Sequence, residues 1–275
     1  MVTLEQIHNA ARVLNGNIRE TDLIYAPNIV PDSKIYLKCE NLQVTGSFKI
    51  RGAFYKISQL SQEERDKGVV ACSAGNHAQG VAVSAQKNNI KSTIFIPSIA
   101  PLSKIEATKS YGAEVKLIDG VYDDAYEAAV RYYKESGAVF VHPFDDELVI
   151  AGQGTIGLEL LRQLPELDAV IVPIGGGGLI AGIATCIKNI NPRCKVYGVQ
   201  AQGAPSMVNA MELHELHTLD RVSTVADGIA VKTPGSLTFD LCEKYVDDIV
   251  TVTEDEIATA ILTLIEQQKL IAEGA

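Results

Sequence analysis

Lys49 sits in the run Thr45-Gly46-Ser47-Phe48-Lys49-Ile50-Arg51-Gly52-Ala53, beside an aromatic ring and two residues from both a serine and an arginine. Apolar packing and a neighbouring positive charge both disfavour the ammonium form, so they poise the side chain as a free amine, which is a nucleophile and a base. A lone lysine at a helix start is ordinarily a solvated charge, so the case rests on two further islands. In Ser73-Ala74-Gly75-Asn76-His77 a hydroxyl, an amide and several backbone N–H groups open a helix. Capping a helix needs one such residue, and the surplus suits a carboxylate. Gly175-Gly176-Gly177-Gly178-Leu179 follows the apolar run Val170-Ile171-Val172-Pro173-Ile174. Consecutive N–H groups at a helix start form an anion cradle, and four glycines exceed what a turn requires, so the expected guest is a phosphate. An amine nucleophile, a carboxylate seat and a phosphate seat together point to amino-acid chemistry.

Other patterns carry less. Gly176, Gly178 and Ala181 satisfy the G-x-G-x-x-A spacing of dinucleotide binding, but Gly198-Val199-Gln200-Ala201-Gln202 offers no acidic residue for a ribose. His214 and His217 have neither a third ligand nor a suitably placed glutamate and read as surface residues, so no metal site is expected. Asp123-Asp124 and Asp145-Asp146-Glu147 read as solvated helix or loop ends. No Ser/His/Asp arrangement emerges.

Positioning such loops is the work of an alternating chain. Short β-branched runs and amphipathic runs predict strands at 69–72, 92–97, 113–118, 138–141, 169–174, 196–199 and 249–252. Helices are expected over 77–88, 122–135 and 155–164, with a last one opened by a capping box at Thr253 and Glu256. This alternation implies an α/β fold with largely parallel, helix-covered sheets, whose ligands bind at the carboxyl ends of strands. The plausible seams fall near Lys49 and at 145–153. The 275 residues, 47% hydrophobic, suffice for a sizeable core. With 24 Lys and Arg against 34 Asp and Glu, the net charge of −10 leaves no basic footprint for nucleic acid or an anionic membrane. The uncharged run 169–187 contains Pro173 and four glycines and reads as strand, loop and helix, not as a membrane span. Five cysteines without a CxxC pair, and an N-terminus without an export signal, lead to an expected cytoplasmic location.

Read in order, GSFKIRGA, CSAGNHAQG, AGQGTIGLE, PIGGGGLIAGIA and ADGIAVKTPG resemble the fold-type-II pyridoxal phosphate enzymes, and among them the short catabolic threonine dehydratases. The resemblance runs from about residue 7 to Ala275. It implies two doubly wound, largely parallel sheets of the tryptophan synthase β-like kind. Residues 1–46 and 149–275 would form the larger, cofactor-binding domain and 47–148 the smaller, substrate-side domain. It implies that Lys49 holds the cofactor covalently and moves the α-proton, that Phe48 packs on the cofactor ring and that Asn76 bonds the ring hydroxyl. Gly175, Gly176, Gly177, Gly178 and Leu179 would hold the phosphate, with Gly228 in a segment approaching the cofactor. Ser73, Ala74, Gly75, Asn76 and His77 would take the substrate carboxylate. The implied reaction converts threonine to 2-oxobutanoate, or serine to pyruvate, with release of ammonia. A homo-oligomer, dimer or tetramer, and a nucleotide effector are further implications.

Three departures qualify the resemblance. Ala74 stands where serine racemases carry a second serine, so racemisation is expected to be poor. Gln200 and Ser206 stand where those relatives bind a divalent cation through carboxylates. The sequence stops at Ile271-Ala272-Glu273-Gly274-Ala275, where relatives continue with a helix, a strand and a serine-glycine-glycine turn; the expectation is a chain truncated at its C-terminus relative to the family and lacking the regulatory domain of longer dehydratases. The rival readings are a chain that binds but catalyses little, a racemase and a β-replacement enzyme.

Overall fold

The computed structural model describes all residues, Met1–Ala275. In chain order the elements are α1 (Leu4–Leu14), β1 (Leu23–Tyr25), β2 (Tyr36–Lys38), α2 (Lys49–Ser58), α3 (Gln62–Lys67), β3 (Val69–Cys72), α4 (Asn76–Lys87), β4 (Ser92–Pro97), α5 (Leu102–Ser110) and β5 (Glu114–Ile118). They continue with α6 (Tyr122–Ser136), β6 (Val139–Phe140), α7 (Glu147–Gln163), β7 (Ala169–Pro173), α8 (Gly178–Ile190), β8 (Lys195–Ala201), α9 (Ser206–Leu213), α10 (Ser236–Tyr245), β9 (Asp248–Val252) and α11 (Glu254–Thr263). Short 3-10 turns cover Glu40–Leu42 and Asp227–Ile229.

Two parallel sheets carry the molecule. One has the order β5-β4-β3-β6 and the other β7-β8-β9, while β1 and β2 form a separate antiparallel pair. Every residue of β3 and β4 is buried, as expected of central strands with both faces covered. Val69, Ala71, Ile94 and Ile96 pack there with Val81 and Ala85 of α4. The second core joins Val172, Ile174 and Val196 to Ile180, Ile183 and Ile187 of α8. The expected α/β class with parallel sheets is the observed one.

Three expectations need correction. The helix expected over 155–164 begins two turns earlier, because the Asp146 carboxylate caps it by accepting from Leu148 and Val149 N–H at 2.8 and 3.1 Å. Gly152, in the expected seam at 145–153, is therefore a helix residue and not part of a loop. A Cβ on Gly152 would lie 2.6 Å from Arg51 O, and one on Gly182 would run into Ile150 O. Glycine here lets helix backbones touch, so AGQGTIGLE is chiefly a crossing point of α7 with α2 and α8. Nor is the 145–147 acidic run simply solvated, since Asp146 also pairs with Lys56 at 2.7 Å.

Candidate active site

All thirteen residues expected at the site line one cleft of about 2280 Å³, into which the N-termini of α2, α4 and α8 open. Phe48 and Lys49 start α2. Ser73, Ala74, Gly75, Asn76 and His77 join β3 to α4, and Gly175, Gly176, Gly177, Gly178 and Leu179 join β7 to α8. Gly228 lies at the mouth, in the 3-10 turn.

Lys49 Nζ donates to Pro143 O at 3.1 Å and lies 5.3 Å from the centre of the Phe48 ring. The side chain keeps a partial opening to the cleft, yet burial of its amine lowers the pKa to about 8. Arg51 does not contribute to this shift. Its guanidinium is fully buried, bidentate on Glu40 at 2.8 and 2.7 Å, and on Glu159 at 2.6 and 3.0 Å, so its charge is spent on those carboxylates. Desolvation alone performs what the sequence attributed partly to a neighbouring charge.

The glycine loop presents five successive amide N–H groups, from Gly175 to Leu179, that donate to nothing within the protein. Its shape is fixed by close contacts. Gly177 has a φ of +94°, and a Cβ there would meet the Met207 methyl at 2.6 Å. A Cβ on Gly176 would enter the Phe144 ring. In the 73–77 loop the N–H groups of Ala74, Asn76 and His77 likewise have no acceptor, while Gly75 N–H turns to Ser73 Oγ at 3.1 Å. The His77 side chain has no N–H to spare for a carboxylate. It is buried and neutral, its pKa driven down to about 3 by burial and then by the Lys49 charge, and its Nε2–H donates to Val141 O at 2.8 Å. Only its backbone is available to a carboxylate. The Asn76 amide donates to Glu273 Oε2 at 2.7 Å.

Several contributors were not legible beforehand. The run 141–146 underlies the whole site: Val141 O takes His77, Pro143 O takes Lys49, Phe144 covers the glycine loop and Asp145 accepts from Ser236 and Thr238 N–H at 3.1 and 3.2 Å. His142 Nδ1 accepts from Asp145 N–H at 2.7 Å, and burial lowers its pKa, which keeps the ring neutral. Gln153 Oε1 accepts from Gly52 N–H at 3.2 Å. Lys104 of α5 pairs with Asp227 at 2.6 Å across the cleft mouth. Glu273 could have been suspected only as a lone carboxylate among small residues.

The remaining sequence readings also resolve. Gln200 is buried, giving its amide N–H to Ile174 O and accepting from Met207 and Val208 N–H at 2.9 Å each. The Gln200 side chain is therefore not available to a ribose. His214 is exposed beside Glu243, with Nδ1 3.1 Å from its carboxylate, and no cluster of three His, Cys, Asp or Glu side chains surrounds a common point. All five cysteines are free and buried, and burial pushes Cys72, Cys186 and Cys242 up to about 12, which leaves them protonated. No helix is long and apolar enough to cross a membrane.

Pyridoxal phosphate fits this arrangement on three counts. A buried amine faces the cleft without an anionic partner, five unused N–H groups form an anion seat, and the buried Ser47 Oγ at the same wall has no partner. Comparison with known proteins agrees: residues 14–275 match the family described as pyridoxal-phosphate dependent enzyme, and the chain belongs to that family. It is 55% identical over 277 residues to the L-threonine ammonia-lyase of Thermotoga maritima, covering all of this chain and 69% of that protein. It is 46% identical over 276 residues to the catabolic L-threonine dehydratase TdcB of Escherichia coli, covering all of this chain and 84% of that one. Among solved structures it superposes on the processed form of threonine deaminase isoform 2 from Solanum lycopersicum with a TM-score of 0.94 at 40% identity, over 98% of this chain and 75% of that one. Maize serine racemase gives a TM-score of 0.96 at 36% identity, over 99% and 83%.

Proposed function

We propose that this protein is a pyridoxal phosphate-dependent ammonia-lyase that converts L-threonine to 2-oxobutanoate and L-serine to pyruvate, each with release of ammonia. The observation that carries this reading is a buried amine, Lys49 Nζ, facing one cleft with two separate seats of free N–H groups. One seat suits a phosphate and the other a carboxylate. The cofactor, when bound, supplies an electron sink for charge developing at the substrate α-carbon.

The protein's own groups do the rest. The 175–179 amides bind the cofactor phosphate at the N-terminus of α8, where the helix dipole adds to the N–H field. The Phe48 ring, beside Lys49, would pack against the cofactor ring, the Asn76 amide, once released from Glu273, would bond the ring hydroxyl, and Gly228 lies in the segment that would approach the cofactor. The 73–77 loop orients the substrate by its carboxylate, through Ser73 and the N–H groups of Ala74, Asn76 and His77. Lys49 would hold the cofactor covalently; with its amine free, Nζ takes the α-proton and passes it to the β-hydroxyl, which then leaves as water. The released 2-aminoalkenoate tautomerises and is hydrolysed to the 2-oxo acid and ammonia.

The Ala74 methyl cannot carry a proton to the opposite face of the substrate, which favours elimination over racemisation. The two bodies are taken as 1–46 with 149–275 and as 47–148, since each of the two large sheets lies within one of them. Assaying 2-oxo acid from both substrates, alongside D-serine from L-serine, tests the reading. Formation of 2-oxobutanoate and pyruvate, with little D-serine, is the expected result; D-serine as the main product would assign a racemase.

A further inference from the structure

The 175–178 loop poses a problem that its glycines create. Four successive residues without side chains leave each peptide plane free to turn over, and a turned plane would aim a carbonyl oxygen, not an N–H, at the anion. In a planar trans peptide the C=O and the following N–H point in opposite directions. Fixing one therefore fixes the other.

Thr238, fully buried in the first turn of α10, stands at that plane. Its Oγ1 lies 2.6 Å from Gly176 O and 3.1 Å from Gly235 O, so the proton goes to Gly176 O, the nearer acceptor. Gly235 N–H reaches the same oxygen at 3.3 Å. Both donors come from the α10 start, which the Asp145 carboxylate holds by accepting from Ser236 and Thr238 N–H. The Gly176 carbonyl is thus drawn away from the cleft, and Gly177 N–H points into it. On the other side of the loop, Gln200 fixes Ile174 O, immediately before the first glycine.

We propose that Thr238 is the positioning residue of the phosphate seat: its hydroxyl sets the 176–177 peptide so that Gly177 N–H faces the phosphate. The inference rests on the reading that the loop binds the cofactor phosphate. Thr238 touches neither cofactor nor substrate and acts through the peptide.

The test compares affinities for pyridoxal phosphate and for pyridoxal, which lacks the phosphate, in the wild type, Thr238→Val, Thr238→Ser and Thr238→Ala, with thermal melting of each protein. In Thr238→Val the preference for the phosphorylated form should fall about tenfold, the size of one ordinary hydrogen bond, with pyridoxal affinity unchanged. Thr238→Ser should restore the preference, and Thr238→Ala gives the same comparison should the valine variant fail to fold. A purely structural role would lower melting and both affinities together, which overturns the inference. So would hydroxyl-free variants that keep the wild-type preference. A wild type that binds both compounds equally would overturn the phosphate seat itself, a failure distinct from the failure of Thr238 alone.

Discussion

Burial is the sole cause of the lowered Lys49 pKa, so the reactivity proposed for its amine depends on where the fold places it. Removing the amine should separate binding from chemistry. Lys49→Ala is expected to lower kcat by more than about 10²-fold, the usual effect of losing a general base, while the glycine loop, untouched by the change, still takes pyridoxal phosphate. Steady-state kinetics with a cofactor titration check both halves. A pH dependence accompanies this. Below a pKa of about 8 the amine is protonated and cannot attack, so covalent attachment of cofactor should rise with pH and level off above 8. Stability follows the same proton: between about 8 and the ordinary 10.5 an unfolded chain holds a proton on Lys49 that the folded protein lacks. Unfolding therefore becomes less favourable as pH rises through that window. Stopped-flow absorbance reads the attachment. Urea unfolding of wild type against Lys49→Ala, without cofactor, isolates the stability term, and equal slopes across the window would contradict it.

Among the elements, α2 carries Lys49 on its first residue and leans on α7 through backbone contact at Gly52 and Gly152. Two effects of Gly152→Ala oppose each other. Helix propensity favours alanine by about 1 kcal/mol, but the new Cβ would lie 2.6 Å from Arg51 O and from Gly52 Cα, atoms that cannot rotate away. Overpacking typically costs about 1–3 kcal/mol, so the net sign is destabilising. The melting temperature should fall, and cofactor attachment should slow as the start of α2 is pushed from its place. An unchanged melting temperature would mean that the two helices can separate at this crossing without cost.

At the scale of the molecule, the cleft mouth is spanned by the pair Lys104–Asp227, reaching from α5 to the turn that bears Gly228, and by Asn76 on Glu273. The side chains of Lys104 and Asp227 are 29% and 62% exposed, which limits the pair to at most about 1 kcal/mol of stability. Its effect belongs to the opening of the cleft. Asp227→Asn should leave the melting temperature nearly unchanged and alter KM for threonine more than kcat. A large loss of stability with unaltered KM would instead make the pair a structural strut.

By itself, the sequence determined the parallel α/β class, the bounds of β4, and the three islands that meet in one cleft. Each of these is written in neighbouring residues: period-two apolar runs, a glycine cluster after a strand, a capping pair at Thr253 and Glu256. The helices α9 and α10 and the 141–145 segment left no such local mark, whereas the start of α7 has one in its Asp146 cap. Tertiary structure alone decided that Pro143 O holds Lys49 across 94 residues and that Thr238 holds Gly176 across 62. It decided that the His77 ring is tied to Val141 O, that Arg51 is neutralised by Glu40 and Glu159, and that AGQGTIGLE serves a helix crossing. The physical reason is that periodicity and propensity record what a residue does with its chain neighbours, whereas burial, charge pairing and peptide orientation depend on groups that only folding brings together.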